Sequence, residues 1–366
     1  MPAGPDIMPP LMKPISPGPI LKHGRALWEA CALVAAVRLD LFGALRDGPL
    51  TPHALACRCR CSMRGLPALA DALAAHGYLD FRKGRYLLTP LSRRYLLPRG
   101  GEYLGDILLH QGRLMEGWSR LDESVKSGHP MDRRPRTPES AQAFARAMAS
   151  LAALNAPVLA GLLRLDGRLF LLDLGCGPGL HSLHFCRRNP GLHAIAMDRP
   201  EILVETRRIL APHPEITRIR LHPGDVLKDP LPGGVDAVWM SQLIHSMSEG
   251  EVRRLLRKAA GALLPGGRLI LHDFFTREGR PGPPYPALFR LNMLRGTPAG
   301  RTYSREELRR WMAPLGFGGF RSMDVPPRGE SGLLIARLRR PLRTAASAGP
   351  RGGPRPARRP ARPSRC

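Results

Sequence analysis

The stretch from Leu169 to Gly179, Leu-Phe-Leu-Leu-Asp-Leu-Gly-Cys-Gly-Pro-Gly, constrains the fold of this chain more than any other. Five of its first six residues are apolar, and the exception is Asp173. A short continuous apolar run marks a strand buried on both faces of a parallel sheet. Gly175, Gly177 and Gly179 come directly after it. Glycines there let the backbone turn sharply and lie against a ligand where a Cβ would clash. The stretch predicts a nucleotide-type cofactor site at the first strand–helix turn of a doubly wound domain.

Beyond Gly179 the chain sustains the alternation of strands and helices expected of βαβ units. A helix is predicted over 181–188, then a strand over 192–198 that ends in Asp198. Asp198 lies 23 positions after Gly175, about the offset at which a carboxylate takes the ribose hydroxyls of a nucleoside. Further strands are predicted at 219–222, ending in Pro-Gly-Asp225, and at 235–240, ending in the segment that carries His245. A helix over 249–264 stops at Pro265-Gly266-Gly267, a fifth strand covers 268–275, and 317–325 with 332–337 close the sheet. The glycine loop contains no Lys and no Gly-Lys-Ser, so a triphosphate is poorly served. A dinucleotide competes for the glycines, but the third glycine of its fingerprint is misplaced.

The N-terminal third is different in kind. Apolar residues from Leu27 to Leu41 recur at helical spacing within a helix predicted over 20–44. Thr51-Pro52 opens a short helix, another runs over 66–76, and alternation on either side of Lys83-Gly84 predicts a hairpin. Three helices and a wing make a winged-helix module of about eighty residues, which serves either DNA binding or dimerisation. Arg58, Arg60 and Arg64 in its exposed turn speak for the first. The first helix, with more apolar surface than so small a unit can bury, speaks for the second. Cys57, Cys59 and Cys61 fall in the same turn. They lack the second ligand pair a metal site needs and read as incidental small residues. The helical stretches 104–125 and 138–165 carry His110, Met115, Trp118, Phe144 and Met148, most of them expected in the core. Helices between domains also line ligand pockets.

Charge needs dissection before use. The formal net charge is +26, but nine Arg with no Asp or Glu lie between Arg339 and Cys366, and removing them leaves +17. That tail, rich in Pro, Gly and Ala, is expected to be disordered, as is the Pro-rich leader 1–20. The remaining charge reads as a solvated surface, and aromatics at 5% give no array of base-stacking platforms. No apolar run reaches membrane-spanning length, the first twenty residues show no secretory pattern, and seven Cys show no disulfide framework. A cytoplasmic protein without membrane contact is expected.

Taken together, residues 169–337 resemble a class I S-adenosylmethionine-dependent methyltransferase. With the module in front, nearly all of 21–338 resembles the small-molecule O-methyltransferase family of plant phenolic, acetylserotonin and bacterial secondary-metabolite enzymes. The matching residues are the glycine motif Asp173–Gly179, the turn Met197–Pro200, Gly224-Asp225, the histidine segment Leu243-Ile244-His245, and Leu264–Gly267. The resemblance implies a Rossmann-like domain behind a winged-helix dimerisation domain, with S-adenosyl-L-methionine as cofactor and no metal. It implies Gly175 and Gly177 beside the methionine part, and Asp173 fixing that loop or reaching the ammonium group through water. Asp198 would then hold the ribose and Asp225 the adenine amino group. The boundaries expected are 21–100 for dimerisation, 101–165 for interdomain helices lining the acceptor pocket, and 166–338 for the cofactor domain.

His245 is then the general base for a hydroxyl of a small aromatic acceptor, since an imidazole near neutrality suits that proton transfer. The family usually supports this His with an adjacent Asp and a later acid. Here Ser246 comes next, and Gly300 stands where many plant members carry Glu. Either a group such as Asp273 substitutes, or the acceptor is acidic enough to need little help, or it is carbon or nitrogen. A homodimer is expected. A DNA-binding regulator and an RNA methyltransferase recruited by the Arg-rich tail are the competing classes.

Overall fold

The structure is a computed structural model that describes residues 16–98, 102–131, 137–165, 167, 170–326 and 329–339. Most of the Pro-rich leader, Leu169, the loop at 132–136 and the tail beyond Arg339 lie outside the described residues.

The first helix spans Gly18–Arg38 and does not continue to Ala44 as the spacing predicts. Asp40 takes a left-handed conformation at φ 49°, which breaks the chain before the short helix Leu41–Ala44. Asp is one of the few residues that tolerates this conformation. The break turns Leu41, Phe42 and Leu45 into the core of the unit. Thr51 caps helix Pro52–Arg58 through Ala54 N–H, and Gly65–Ala75 comes after it. Strands β1 (Leu79–Arg82) and β2 (Arg85–Leu88) pair antiparallel. Lys83 and Gly84 both have positive φ between them, the requirement of a type I′ turn. Leu55, Leu66, Leu73, Leu79, Tyr86 and Leu88 fill the space beneath. The outer face of the first helix leaves Ile20, Leu21, Leu27 and Trp28 exposed, Trp28 by 73%.

Gly105–Ser119, Leu121–Ser127 and Pro138–Leu162 form the bridge to the second unit. The stretch predicted as one helix over 104–125 is split at Arg120, where ψ of 24° ends the first helix. Gly112 lets the first bridging helix press on Val34, whose Cγ1 would stand 2.6 Å from an added Cβ. Pro138–Leu162 is long and apolar enough to cross a membrane by composition. It is also a packed helix, with Ala152, Ala156, Leu159 and Ala160 buried in the core beneath the sheet.

The second unit is a seven-stranded sheet. Its strands are β3 (Phe170–Leu174), β4 (His193–Asp198), β5 (Ile219–Pro223), β6 (Val235–Ser241), β7 (Leu263–Asp273), β8 (Phe317–Asp324) and β9 (Gly332–Leu338). The order is β5-β4-β3-β6-β7-β9-β8, parallel from β5 to β7, with β9 antiparallel to both β7 and β8. This is the Rossmann-like α/β architecture expected from the glycine stretch. β7 starts five residues before the expected strand, because a bulge opposite Val235–Ala237 admits the Pro-Gly-Gly turn into the ladder. It also ends at Asp273, short of Phe275. Helices Pro200–Leu210, Pro284–Gly296 and Arg305–Met312 lie where the sequence pattern predicts no element. Apolar residues cover both faces, with Leu172, Leu174, Val238 and Leu269 in one layer and Leu171, Ala237, Trp239 and Ile270 in the other.

From β3 the chain winds outward through β4 and β5, then returns to β6 and β7 on the other side. The crevice at the carboxyl ends of β3 and β6 is therefore the switch point where such sheets bind ligands.

Candidate active site

One wall of the crevice is the glycine loop. Gly175, Gly177 and Gly179 have φ of 67°, 51° and 75°, a region that L side chains rarely adopt. A Cβ on Gly175 would meet Leu243 Cδ1 at 2.8 Å, so this glycine also lets the β6 loop close on the donor loop. Among the described residues nothing lies within 4 Å of where a Cβ on Gly177 would stand, so the loop offers bare backbone to the crevice.

Asp198 joins this wall to β4. Its Oδ2 accepts from Gly177 N–H and its Oδ1 from Arg199 N–H, both at 2.8 Å. Burial raises its carboxyl above the usual range, while those two N–H bonds pull it back. Each oxygen keeps a lone pair, the pair of acceptors that two ribose hydroxyls can donate to. Asp173 Oδ2 accepts from Ser182 Oγ at 2.7 Å, which ties the end of β3 to helix Leu180–Arg188 on the far side of the glycine loop. Burial pushes this carboxyl up to about 7. The loop is held by Thr206, whose hydroxyl donates to Gly177 O at 2.6 Å. Nothing in the sequence points to that threonine. Asp225 lies at the crevice edge, with Oδ1 accepting from Leu227 N–H and the carboxylate 3.8 Å from Lys228 Nζ.

The opposite wall carries His245 on a short 3₁₀ turn, Ile244–Ser246, after β6. Ser241 pairs with His272 across β6 and β7, so Asp273 ends β7 beside the same turn. The ring Nδ1 of His245 lies 2.8 Å from Asp273 Oδ1, and the His245 side chain is 12% exposed. His245 therefore has a carboxylate partner, and it is Asp273, the substitute that the sequence offered for the family's usual acids. Gly300 packs against the same turn, where an added Cβ would sit 2.5 Å from His245 O. A glutamate there has no room, and the carboxylate beside His245 comes from Asp273 at the end of β7.

Around the imidazole stand aromatic rings. Phe289 meets it edge-on at 4.8 Å between centroids, Phe274 lies 4.4 Å from Phe289, and Tyr285 lies 5.1 Å from Phe274. Four aromatics between Phe274 and Phe289 in a chain so poor in them were the available signal. His110, Met115, Trp118 and Met148 are half-buried and Phe144 is exposed, so these residues are not the core positions expected. They belong to faces of the bridging helices that the sheet unit does not cover. His110 packs on Phe144, and burial pushes its imidazole down to about 4, with Arg113 and Arg295 adding to the effect. Far from the crevice, Cys57 lies 3.9 Å from His53, while Cys59 and Cys61 pack against the N-terminal core.

The bare-backbone loop, the ribose-type acid and the absence of a phosphate-binding lysine fit a nucleoside-linked methyl donor. The order β5-β4-β3-β6-β7-β9-β8, with antiparallel β9 between β7 and β8, is that of the donor half of a class I methyltransferase. Residues 124–318 match the O-methyltransferase domain, and residues 21–98 match the O-methyltransferase dimerisation domain. The 3-hydroxy-5-methyl-1-naphthoate 3-O-methyltransferase of Streptomyces sahachiroi is 30% identical, over 84% of this chain and 91% of its own. A tetracenomycin polyketide 8-O-methyltransferase of Streptomyces glaucescens is also 30% identical, over 88% of this chain and 96% of its own. The fold is that of human N-acetylserotonin methyltransferase crystallised with S-adenosylmethionine, with a TM-score of 0.80 at 23% identity over 90% of this chain and 99% of that one. The chain belongs to the O-methyltransferase family, as an enzyme that uses S-adenosylmethionine as methyl donor.

Proposed function

We propose that this enzyme methylates a hydroxyl of a small aromatic molecule with His245 as general base. The observation that carries the reading is the 2.8 Å contact between His245 Nδ1 and Asp273 Oδ1 at the switch point. Asp273 accepts from Nδ1–H, which leaves Nε2 as the basic nitrogen facing the crevice. Nε2 takes the acceptor's hydroxyl proton as the oxygen attacks, and the adjacent carboxylate stabilises the imidazolium that forms. Bound S-adenosylmethionine supplies an electrophilic methyl on a positively charged sulfur. Gly175 and Gly177 would hold its methionine part, Asp198 its ribose and Asp225 its adenine edge. Phe274 and Phe289 offer faces and edges to a planar acceptor.

The helices of residues 101–165 shape the acceptor pocket, and the 166–338 unit holds the donor. The 21–100 unit joins two copies through the exposed side of its first helix, as the match to a dimerisation domain supports. The enzyme works in the cytoplasm, without nucleic acid or membrane as partner.

Replacing His245 by Ala should lower turnover by about 10²- to 10⁴-fold. Donor affinity, read by calorimetry with S-adenosylhomocysteine, should stay within about twofold. Near-normal turnover would remove the base assignment.

A further inference from the structure

The turn that carries His245 and the strand that carries Asp273 are joined by a third element, the segment 300–307. Tyr303 sits at its centre and is 2% exposed. Its hydroxyl donates to Met247 O at 2.6 Å, two residues beyond His245. Its own carbonyl accepts from Thr276 N–H at 3.1 Å, three residues beyond Asp273, beside a bridge between Thr276 and Ser304. One residue thus holds both halves of the dyad, the base side by its side chain and the acid side by its backbone.

Neighbouring groups hold Tyr303 in turn. The Arg301 guanidinium stands 4.2 Å above its ring and pairs with Glu307 at 2.8 Å and with Glu249 at 3.6 Å. Glu249 begins the helix after the His245 turn. On the same segment, Gly300 seats its backbone against His245 O. A buried hydroxyl with one short bond has no water to replace that partner, so its loss frees the turn.

We propose that Tyr303, braced by Arg301, is a positioning residue that sets the register between His245 and Asp273. This rests on the reading of His245 as base, but its physical content is the geometry of the pair in the resting protein. A misplacement near 1 Å at a reacting group can cost about 10²-fold in rate, so a device that fixes two loops against each other bears on turnover.

The test uses the full chain labelled with ¹⁵N-histidine. The Nδ1–H signal of His245 is assigned by its loss in His245→Ala and followed in Tyr303→Phe. Its exchange with solvent should quicken by at least about tenfold, while the signals of buried His272 and His181 in the same unit stay as they were. An unchanged His245 signal would overturn the proposal. So would equal loss at His272, which would mean general loosening. Should Tyr303→Phe fail to fold, Arg301→Met leaves the hydroxyl in place and should move the His245 signal in the same direction.

Turnover supplies a second reading, with 1-naphthol and hydroxynaphthoates as probe acceptors. Tyr303→Phe should lower kcat by about 10-fold with little change in donor KM, and should have no further effect in a His245→Ala background. A full additional loss in that background would also overturn the proposal. If His245→Ala itself turns over normally, the base reading fails, while the exchange measurement still judges the clamp.

Discussion

The two units of this protein bury different things. The N-terminal unit closes over an apolar core of Leu, Ala, Phe42 and Tyr86, and leaves Ile20, Leu21, Leu27 and Trp28 on the outside of the first helix. The sheet unit leaves its exposed hydrophobics scattered and buries ionisable groups, among them Asp173, Asp273 and His272. An apolar face left in water is settled by association with another surface. A buried charge is settled by a partner inside the same fold. In the proposed dimer the N-terminal unit is thus turned outward to another copy of itself, while the sheet unit is turned inward to its crevice.

The contrast can be broken at its outward end first. Trp28→Glu with Leu27→Asp puts charge on exposed positions that support no part of the monomer core. Dimer dissociation should become easier by about 10²-fold or more by sedimentation equilibrium, with the monomer still folded. An unchanged dimer would place the interface elsewhere. At the inward end, Asp273→Asn lets an amide hydrogen bond select the wrong imidazole tautomer. Turnover should fall by about 10- to 10²-fold while donor binding holds, as judged by kcat and by calorimetry. Gly175→Ala should cost about 1–2 kcal/mol in urea unfolding, since a left-handed backbone disfavours a Cβ and Leu243 must also give way.

The smallest effects lie in the pH dependence of unfolding. His181 and His272 are pushed by burial from 6.5 down to about 3 and about 4. The folded sheet unit binds fewer protons than the unfolded chain in that window. Their contribution is whole above about pH 6.5 and is lost as pH falls toward 3. Asp173 has the opposite sign. With its carboxyl raised from 3.8 to about 7, its contribution is whole below pH 3.8 and is lost as pH rises through about 7. Asp173→Asn keeps an acceptor for Ser182 Oγ and should flatten the decline in Tm between about pH 4 and 7. A wild-type slope in that variant would assign the decline to another group.

How much was legible depends on how local each signal is. The glycine loop and Asp198 could be read because positive φ and an acid at a strand end are requirements of single positions. The Thr51 cap and the Lys83-Gly84 turn were legible for the same reason. The partner of His245 was legible only as one candidate among alternatives, because Asp273 is 28 residues away and meets it through the register of β6 on β7. Thr206, Leu243 and Tyr303 act through contacts that no spacing announces. Helix Pro284–Gly296 hid behind its Pro-Tyr-Pro start and its lack of a one-sided apolar stripe. The break at Asp40 hid because apolar periodicity runs straight across it.

The adjacency of β6 and β7 separates two lines of change open to this enzyme. His245, on the turn that leaves β6, and Asp273, at the end of β7, are brought together by neighbouring strands of one sheet, so their meeting owes nothing to where the bridging helices lie. On the proposed reading, substitutions along those helices would reshape the acceptor's surroundings and leave the His245–Asp273 contact in place. Drift in what is methylated and constancy in how it is methylated are thus written into different layers of one chain.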